Sequence, residues 1–399
     1  GSDNNIIAGN YIGRLTSSGT DAGAAEANAG SGVVLAGANN TLGGTTAADR
    51  NVISGNDSGV SIISASATGN LVLGNYIGTD ATGNTAISNT TSGVSISAGA
   101  TSNTIGGSVA GARNIISGNL TDGIDISLAT SSGNIVRGNY IGTNAAGTAV
   151  IGNSGNGIWT EGAFTTIGGT AAGEGNLISA NSFNGIYVFG AGDNALIQGN
   201  RIGTDVTSLA ALGNGTQGIQ LAASNAVIGG TAPGSANTIA FNTQNGVMLP
   251  IGAGGGNAIL GNAIYANGLI GIDLSNDAVT TNDAGDADSG PNNLQNFPVL
   301  TSAATNGTQL IVTGSLNSTA NSYYRIEFFS STTADGSGYG EGQSYVGFIN
   351  VATDGSGNAT ISATLTASVV VGAYISGTAT KCDATYTAFS DTSEFTQNV

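Results

Sequence analysis

The densest chemistry in this chain is a run of carboxylates: Asp273, Asp277, Asp283, Asp286 and Asp288 fall within 16 residues. Groups packed this closely repel one another unless something neutralises them, and a hard cation takes oxygen ligands of this kind. Asp283, Asp286 and Asp288, with Asp277 and Asp273 beside them, therefore read as a calcium site, against the competing reading of a solvated acidic loop. The second candidate is aromatic. Trp159 and Tyr187 each lie between two inward-pointing positions of a short strand, with Gln220 and Met248 at the matching place further on. Alternation along a strand puts all four on an outer face, where neighbouring aromatics suit a sugar platform or a protein contact.

The supply of catalytic groups is thin. The chain has no His and only seven Lys plus Arg, which removes the commonest acid–base residue and the commonest metal ligand. A hydrolase would need two carboxylates several ångströms apart. Glu161 and Glu174, which follow Trp159 closely, are the pair best placed in sequence to imitate such a cleft. Arg50 and Arg113 occupy equivalent positions, as do Asp80, Asp205 and the uncharged Asn144. Charges repeated in register decorate a surface rather than build one active site, so a non-catalytic protein is expected.

Those registers come from an internal repeat, which has to be settled before any other assignment. Gly138-Asn139-Tyr140-Ile141-Gly142 has copies beginning at Gly9, Gly74 and Gly199 and a worn one at Gly261, in steps of 65, 64, 61 and 62 residues. A second phrase, Ile105-Gly106-Gly107, recurs from Leu42, Ile167 and Ile228 on the same beat. Inside each unit of about 62 residues, a Gly followed by Val or Ile opens an alternating apolar run. These starts are Gly32, Gly59, Gly93, Gly123, Gly157, Gly185, Gly218, Gly246 and Gly271, which gives two coils per repeat. Segments such as Asn103-Thr104-Ile105 and Asn114-Ile115-Ile116 add two further short strands to each coil. Because no two-residue Asn-Gly turn joins successive apolar runs, they cannot pair as hairpins and must wind.

Winding predicts inward ladders, one through Val60, Val94, Ile124, Ile158, Ile186, Ile219, Val247 and Ile272 and a neighbour from Ile62 to Leu274. At ~4.8 Å per step, nine coils make a rod on the order of 45 Å long. Asn10, Asn75, Asn139, Asn200 and Asn262 read as corner residues, since Asn tolerates left-handed backbone and identical amides can hydrogen-bond along a ladder. The extra residues between Gly44 and Asn51, and from Thr79 to Ser92, read as loops leaving two corners. Outward positions of the first strand run Val34, Ser61, Ser95, Asp125, Trp159, Tyr187, Gln220, Met248 and Asp273, too irregular for a Thr-rich ice-binding array.

In the phrases Gly-Asn-Tyr-Ile-Gly-Thr, Asn-Thr-Ile-Gly-Gly and Asn-Ile-Ile-Ser-Gly-Asn, residues 1–290 resemble the right-handed parallel β-helix repeat proteins of bacterial secreted and cell-surface polypeptides. The resemblance implies an all-β fold: a single-stranded parallel β-helix of about nine coils, followed by a C-terminal β-sandwich. The stretch from Asn282 to Leu300 looks like the segment that closes such a helix, with 291–298 as junction. From 299 to 399 the beat stops and strands alternate in the antiparallel manner, which suggests an immunoglobulin-like sandwich with strands at 310–316, 324–328, 345–352, 359–365 and 369–378. The family often carries paired cysteines near the positions of Ala334 and Gln397; this chain has neither. Its one cysteine, Cys382, reads as a small buried apolar residue. Because pectate lyases and other polysaccharide-cleaving enzymes share the superfold, a polysaccharide-binding or polysaccharide-cleaving module is the alternative to a structural or adhesive protein.

A net charge of −17 repels phosphate backbones and argues against nucleic-acid binding. No apolar run approaches the roughly 20 residues a spanning helix needs, so membrane insertion is not expected. Asp3-Asn4-Asn5-Ile6 opens in mid-repeat without a signal peptide, which suggests a processed or excised piece, extracellular or at the cell surface by resemblance. The strand Asn5-Ile6-Ile7-Ala8 then presents an unpaired edge, and head-to-tail self-association, extending to filaments, is the expectation for it.

Overall fold

A computed structural model describes residues 2–399. Each coil gives one strand to each of three parallel nine-stranded sheets. The first sheet runs from Ile6–Ile7 to Ala258–Leu260, the second from Tyr11–Gly13 to Ala263–Tyr265, and the third from Val33–Leu35 to Ile272–Ser275. The ladder of Val60, Val94, Ile124, Ile158, Ile186, Ile219, Val247 and Ile272 stands in register, inside and buried. The second and third-sheet neighbours add Ile53, Ile77, Ile116 and Ile141, and Ile62, Ile96 and Ile126, each with no exposed surface. A fully buried aliphatic side chain is worth about 1.5–3 kcal/mol, so a column one residue thick suffices when every coil repeats it.

The corners are held by asparagines. In the unbroken ladder Asn10, Asn51, Asn75, Asn114, Asn139, Asn176, Asn200, Asn237 and Asn262, each Oδ1 after the first accepts from the backbone N–H and the Nδ2 of the asparagine one coil before. For Asn139 the bonds to Asn176 are 3.0 and 3.1 Å, and Nδ2 reaches Ile105 O at 2.9 Å. A bend this tight would otherwise strand its polar groups away from water. A second ladder runs from Asn56 through Asn89, Asn119, Asn153, Asn181, Asn214 and Asn242 to Asn267. A third is interrupted: Asn40, Asn70, Asn103 and Asn134 give way to Thr165, Ala195 and Ala226 before Asn257 and Asn292 resume it. Gly142 shows why the phrase ends in glycine, since its φ is +90° and a Cβ there would run into Ser179 O.

The doubled period has a simple cause. Alternate coils place their extra residues at different corners, as in the loop before Val52–Ser54 in one coil and the loop after Tyr76–Ile77 in the next. Loops of the second kind stack tip to tip, with Ala81 N donating to Gly19 O, Ala145 N to Gly83 O and Val206 N to Gly147 O. Beneath this ridge, Ile115, Tyr140 and Leu177 form a small core of their own with Tyr76, Ala145 and Val206.

The C-terminal domain is a sandwich of a three-stranded and a four-stranded antiparallel sheet, built from Val299–Thr305, Gln309–Asn317 and Asn358–Thr366 and from Tyr323–Ser331, Ser344–Ala352, Tyr374–Cys382 and Phe389–Thr392. The first and last of these strands escaped the sequence reading. The strand expected at 369–378 starts only at Tyr374, because Val370 and Val371 sit exposed in a turn. Cys382 is half-buried at a strand end rather than in the core, which corrects the expected role. Near the C-terminus, Tyr339 and Gln397 form a backbone bridge and Asn398 N donates to Gly338 O.

Candidate functional site

The outer ladder of the third sheet sets Asp125, Trp159, Tyr187, Gln220, Met248 and Asp273 side by side. Trp159 and Tyr187 are thus neighbours, both half-buried. Their cover is Phe189, stacked on Trp159 at 6.0 Å and edge-on to Tyr187 at 5.5 Å, and itself 41% exposed. Alternation along Ile186–Phe189 gives Phe189 as readily as Tyr187; counting one outward residue per strand missed it. Met248 is a correction. It holds the outward register but is only 5% exposed, so it packs rather than offers a contact. Beside the aromatics, Asp125 gathers with Asp122 and Glu161. Burial raises the Asp125 pKa, the Ser127 hydroxyl opposes this, and the two neighbouring carboxylates add to it. A polar chain follows the same face, with Asn156 donating to Asp122, and Asn184 to Asn156 and Gln220.

Glu161 and Glu174 are each engaged elsewhere. Glu161 accepts from Leu128 N, whereas Glu174 pairs with Arg137 at 2.8 Å and closes its loop through Ala171 N. The repeated charges are local fasteners. Arg50 and Arg113 each lie 4.0 Å over Tyr76 and Tyr140 of the next coil, and Asp80, Asn144 and Asp205 accept backbone N–H groups that close the ridge loops.

Of the acidic run, Asp283, Asp286 and Asp288 bring carboxylate oxygens within 4.8 Å of one another. Asp286 is also bound by Asn296 N and the Ser318 hydroxyl, and Asp283 by Ala287 N. Lys381 lines the same recess as Asp286 and Asp288. Burial raises the pKa of Asp286 and of Asp288, and the adjacent carboxylates raise both further. Asp277 stands outside this group, with Asp273 near Glu394.

The sequence placed the junction at 291–298 but not the acids that close the helix there. The last coil presents N–H groups with no further coil to receive them, and acids of the sandwich do so. Glu327 accepts from Gly261 N, Asp391 from Gly256 N, Glu341 from Ala266 N and from Asn267 N and Nδ2, and Glu394 from Leu274 N and Thr280 N. Glu341 thereby takes the place of the next asparagine of its ladder, and Gly342 bridges Ile264 where the ridge loop is missing. Burial pushes Glu341 up to about 7 and Glu394 up to about 8, the latter helped by Asp273 and Asp277. Burial also raises Glu327, against the opposing Arg325 guanidinium at 2.8 Å.

At the other end, Ile6 is 76% exposed and the first coil frames a cavity of about 430 Å³ with Ser2, Asn5, Ile7, Val34 and Leu35. Asn5 donates to Asn40 through both N and Nδ2. The architecture defines the class: a parallel β-helix closed at its C-terminal end by a β-sandwich. No family model and no curated protein matches the chain.

Proposed function

We propose that this chain is a non-catalytic structural or adhesive protein of the extracellular space or cell surface, a rigid rod that associates head to tail. The observation that carries the reading is how the polar residues of the helix are used: asparagines face the next coil and repeated charges close loops, so the design serves length and stiffness. In this reading the exposed Asn5-Ile6-Ile7 edge receives the sandwich of a second copy, a heterologous contact that propagates unless its rotation closes a ring. Sedimentation across a wide concentration range tests it. The chain should grow with concentration and Ile6→Lys should hold it monomeric; a native chain that stays monomeric throughout would contradict the reading.

A hard cation such as calcium belongs to the same proposal, held by Asp283, Asp286 and Asp288 and lowering their mutual repulsion beside the junction. Their clustering favours it, while Lys381 offers a competing counter-charge. Adding calcium to chelator-treated protein should raise Tm by several degrees, and an unchanged Tm would remove the cation from the account. The aromatic group around Trp159 favours the second reading, an extracellular polysaccharide as partner.

A further inference from the structure

Between the last coil and the sandwich loop at 335–337 lies a cavity of about 510 Å³, within the range of small-molecule sites. Asp273, Asn245, Asn276 and Asp335 give it a polar side, and Leu269 and Ile270 an apolar one. Asp273 is 2% exposed; its Oδ2 accepts from Asn245 at 2.9 Å, the backbone N–H groups of Asn276 and Asp277 lie near its carboxylate, and its Oδ1 is buried with no close hydrogen-bond partner. A buried carboxylate oxygen left unpaired costs free energy, and a donor arriving from a ligand recovers it. Among the described residues lining the cavity there is no Lys or Arg. Acceptors on one wall without a cation, in a chain of net charge −17, complement a positive donor.

We propose that this cavity binds the protonated amine of an amino sugar, with Asp273 and Asp335 receiving the ammonium group and Leu269 and Ile270 meeting the apolar face of the ring. Asp273 is followed in register by Met248, Gln220 and Tyr187, which puts the aromatic group about 14 Å away at ~4.8 Å per coil, beyond Met248, which is only 5% exposed. The site stands apart from the rod reading, since binding is measured on the monomer and its failure leaves assembly untouched.

Calorimetry with a glucosamine tetramer, its N-acetylated form and a glucose tetramer tests the assignment. Saturable binding of the free amine is expected, at least tenfold tighter than either neutral oligomer, and Asp273→Asn should weaken it roughly tenfold or more, as loss of a charge-assisted hydrogen bond implies. Asp57→Asn, on the exposed surface far along the chain, controls for general attraction to an acidic protein. Asp335→Asn, on the sandwich loop, gives a second reading should Asp273→Asn disturb folding. No binding of the amine, equal binding of all three oligomers, or equal losses in Asp57→Asn and the cavity variants would each overturn the proposal.

Discussion

The middle of the rod and its C-terminal end use the same donors and different acceptors. At Asn139 the corner N–H and Nδ2 meet the neutral amide oxygen of Asn176, whereas at Asn267 the equivalent donors meet the carboxylate of Glu341. An amide ladder has no proton to gain or lose near neutrality and can be copied coil after coil. A carboxylate terminates it, because it accepts without presenting donors of its own for a further rung. The difference teaches that this β-helix is extended by neutral amides and, where Glu327, Glu341, Asp391 and Glu394 receive its last coil, ended by ionisable groups, so one part of the hydrogen-bond system answers to pH and the other does not.

The largest effect is expected from breaking the neutral part. Asn139 has no exposed surface and takes part in bonds with Asn114, Asn176, Ile105 and Arg137. Asn139→Leu leaves several of those partners unmet, at about 1–3 kcal/mol each, and should lower unfolding stability by about 3 kcal/mol or more in denaturant titrations at any pH. A loss that varied strongly between pH 5 and 9 would blur the distinction between the two regions.

The next effect sharpens the ionisable part. Glu341 and Glu394 have folded pKa values of about 7 and about 8 against an ordinary 4.5. Groups raised in this way contribute stability that is complete below the unfolded value and is lost as pH rises through the folded one. The junction should therefore loosen between pH 5 and 9, with a fall in Tm on the order of 10 °C. Glu394→Gln, which cannot ionise, should flatten most of that slope, and a slope unaltered in the variant would count against burial as its origin. The smallest effect belongs to the fasteners outside the ladders: Arg113→Ala should cost about 1 kcal/mol, the worth of a half-exposed cation over a ring.

The β-helix was legible in the sequence because each coil restates the same local instruction, and Asn10, Asn75, Asn139, Asn200 and Asn262 marked every second rung of one corner. The acids that close it were not, since Glu327, Glu341, Asp391 and Glu394 recur with no period and meet partners between 66 and 135 residues away. Register also proved more legible than exposure. Met248 sits on the outer ladder as alternation required, yet only the packing of its neighbours reveals that it is buried. Asp277 looked like part of the acidic cluster because it is near in sequence, but the chain turns between Asp277 and Asp283 and carries it toward Glu394 instead.

Amide hydrogen-exchange protection, followed residue by residue from pH 5 to pH 9 and corrected for intrinsic rates, addresses the contrast between the two regions most directly. Asn114, Asn139 and Asn176 should keep constant protection, while Ala266, Asn267 and Leu274, bound to Glu341 and Glu394, should lose it as pH passes 7 to 8. Equal loss in both sets, or none at the last coil, would contradict a rod built on neutral amides and closed by buried acids.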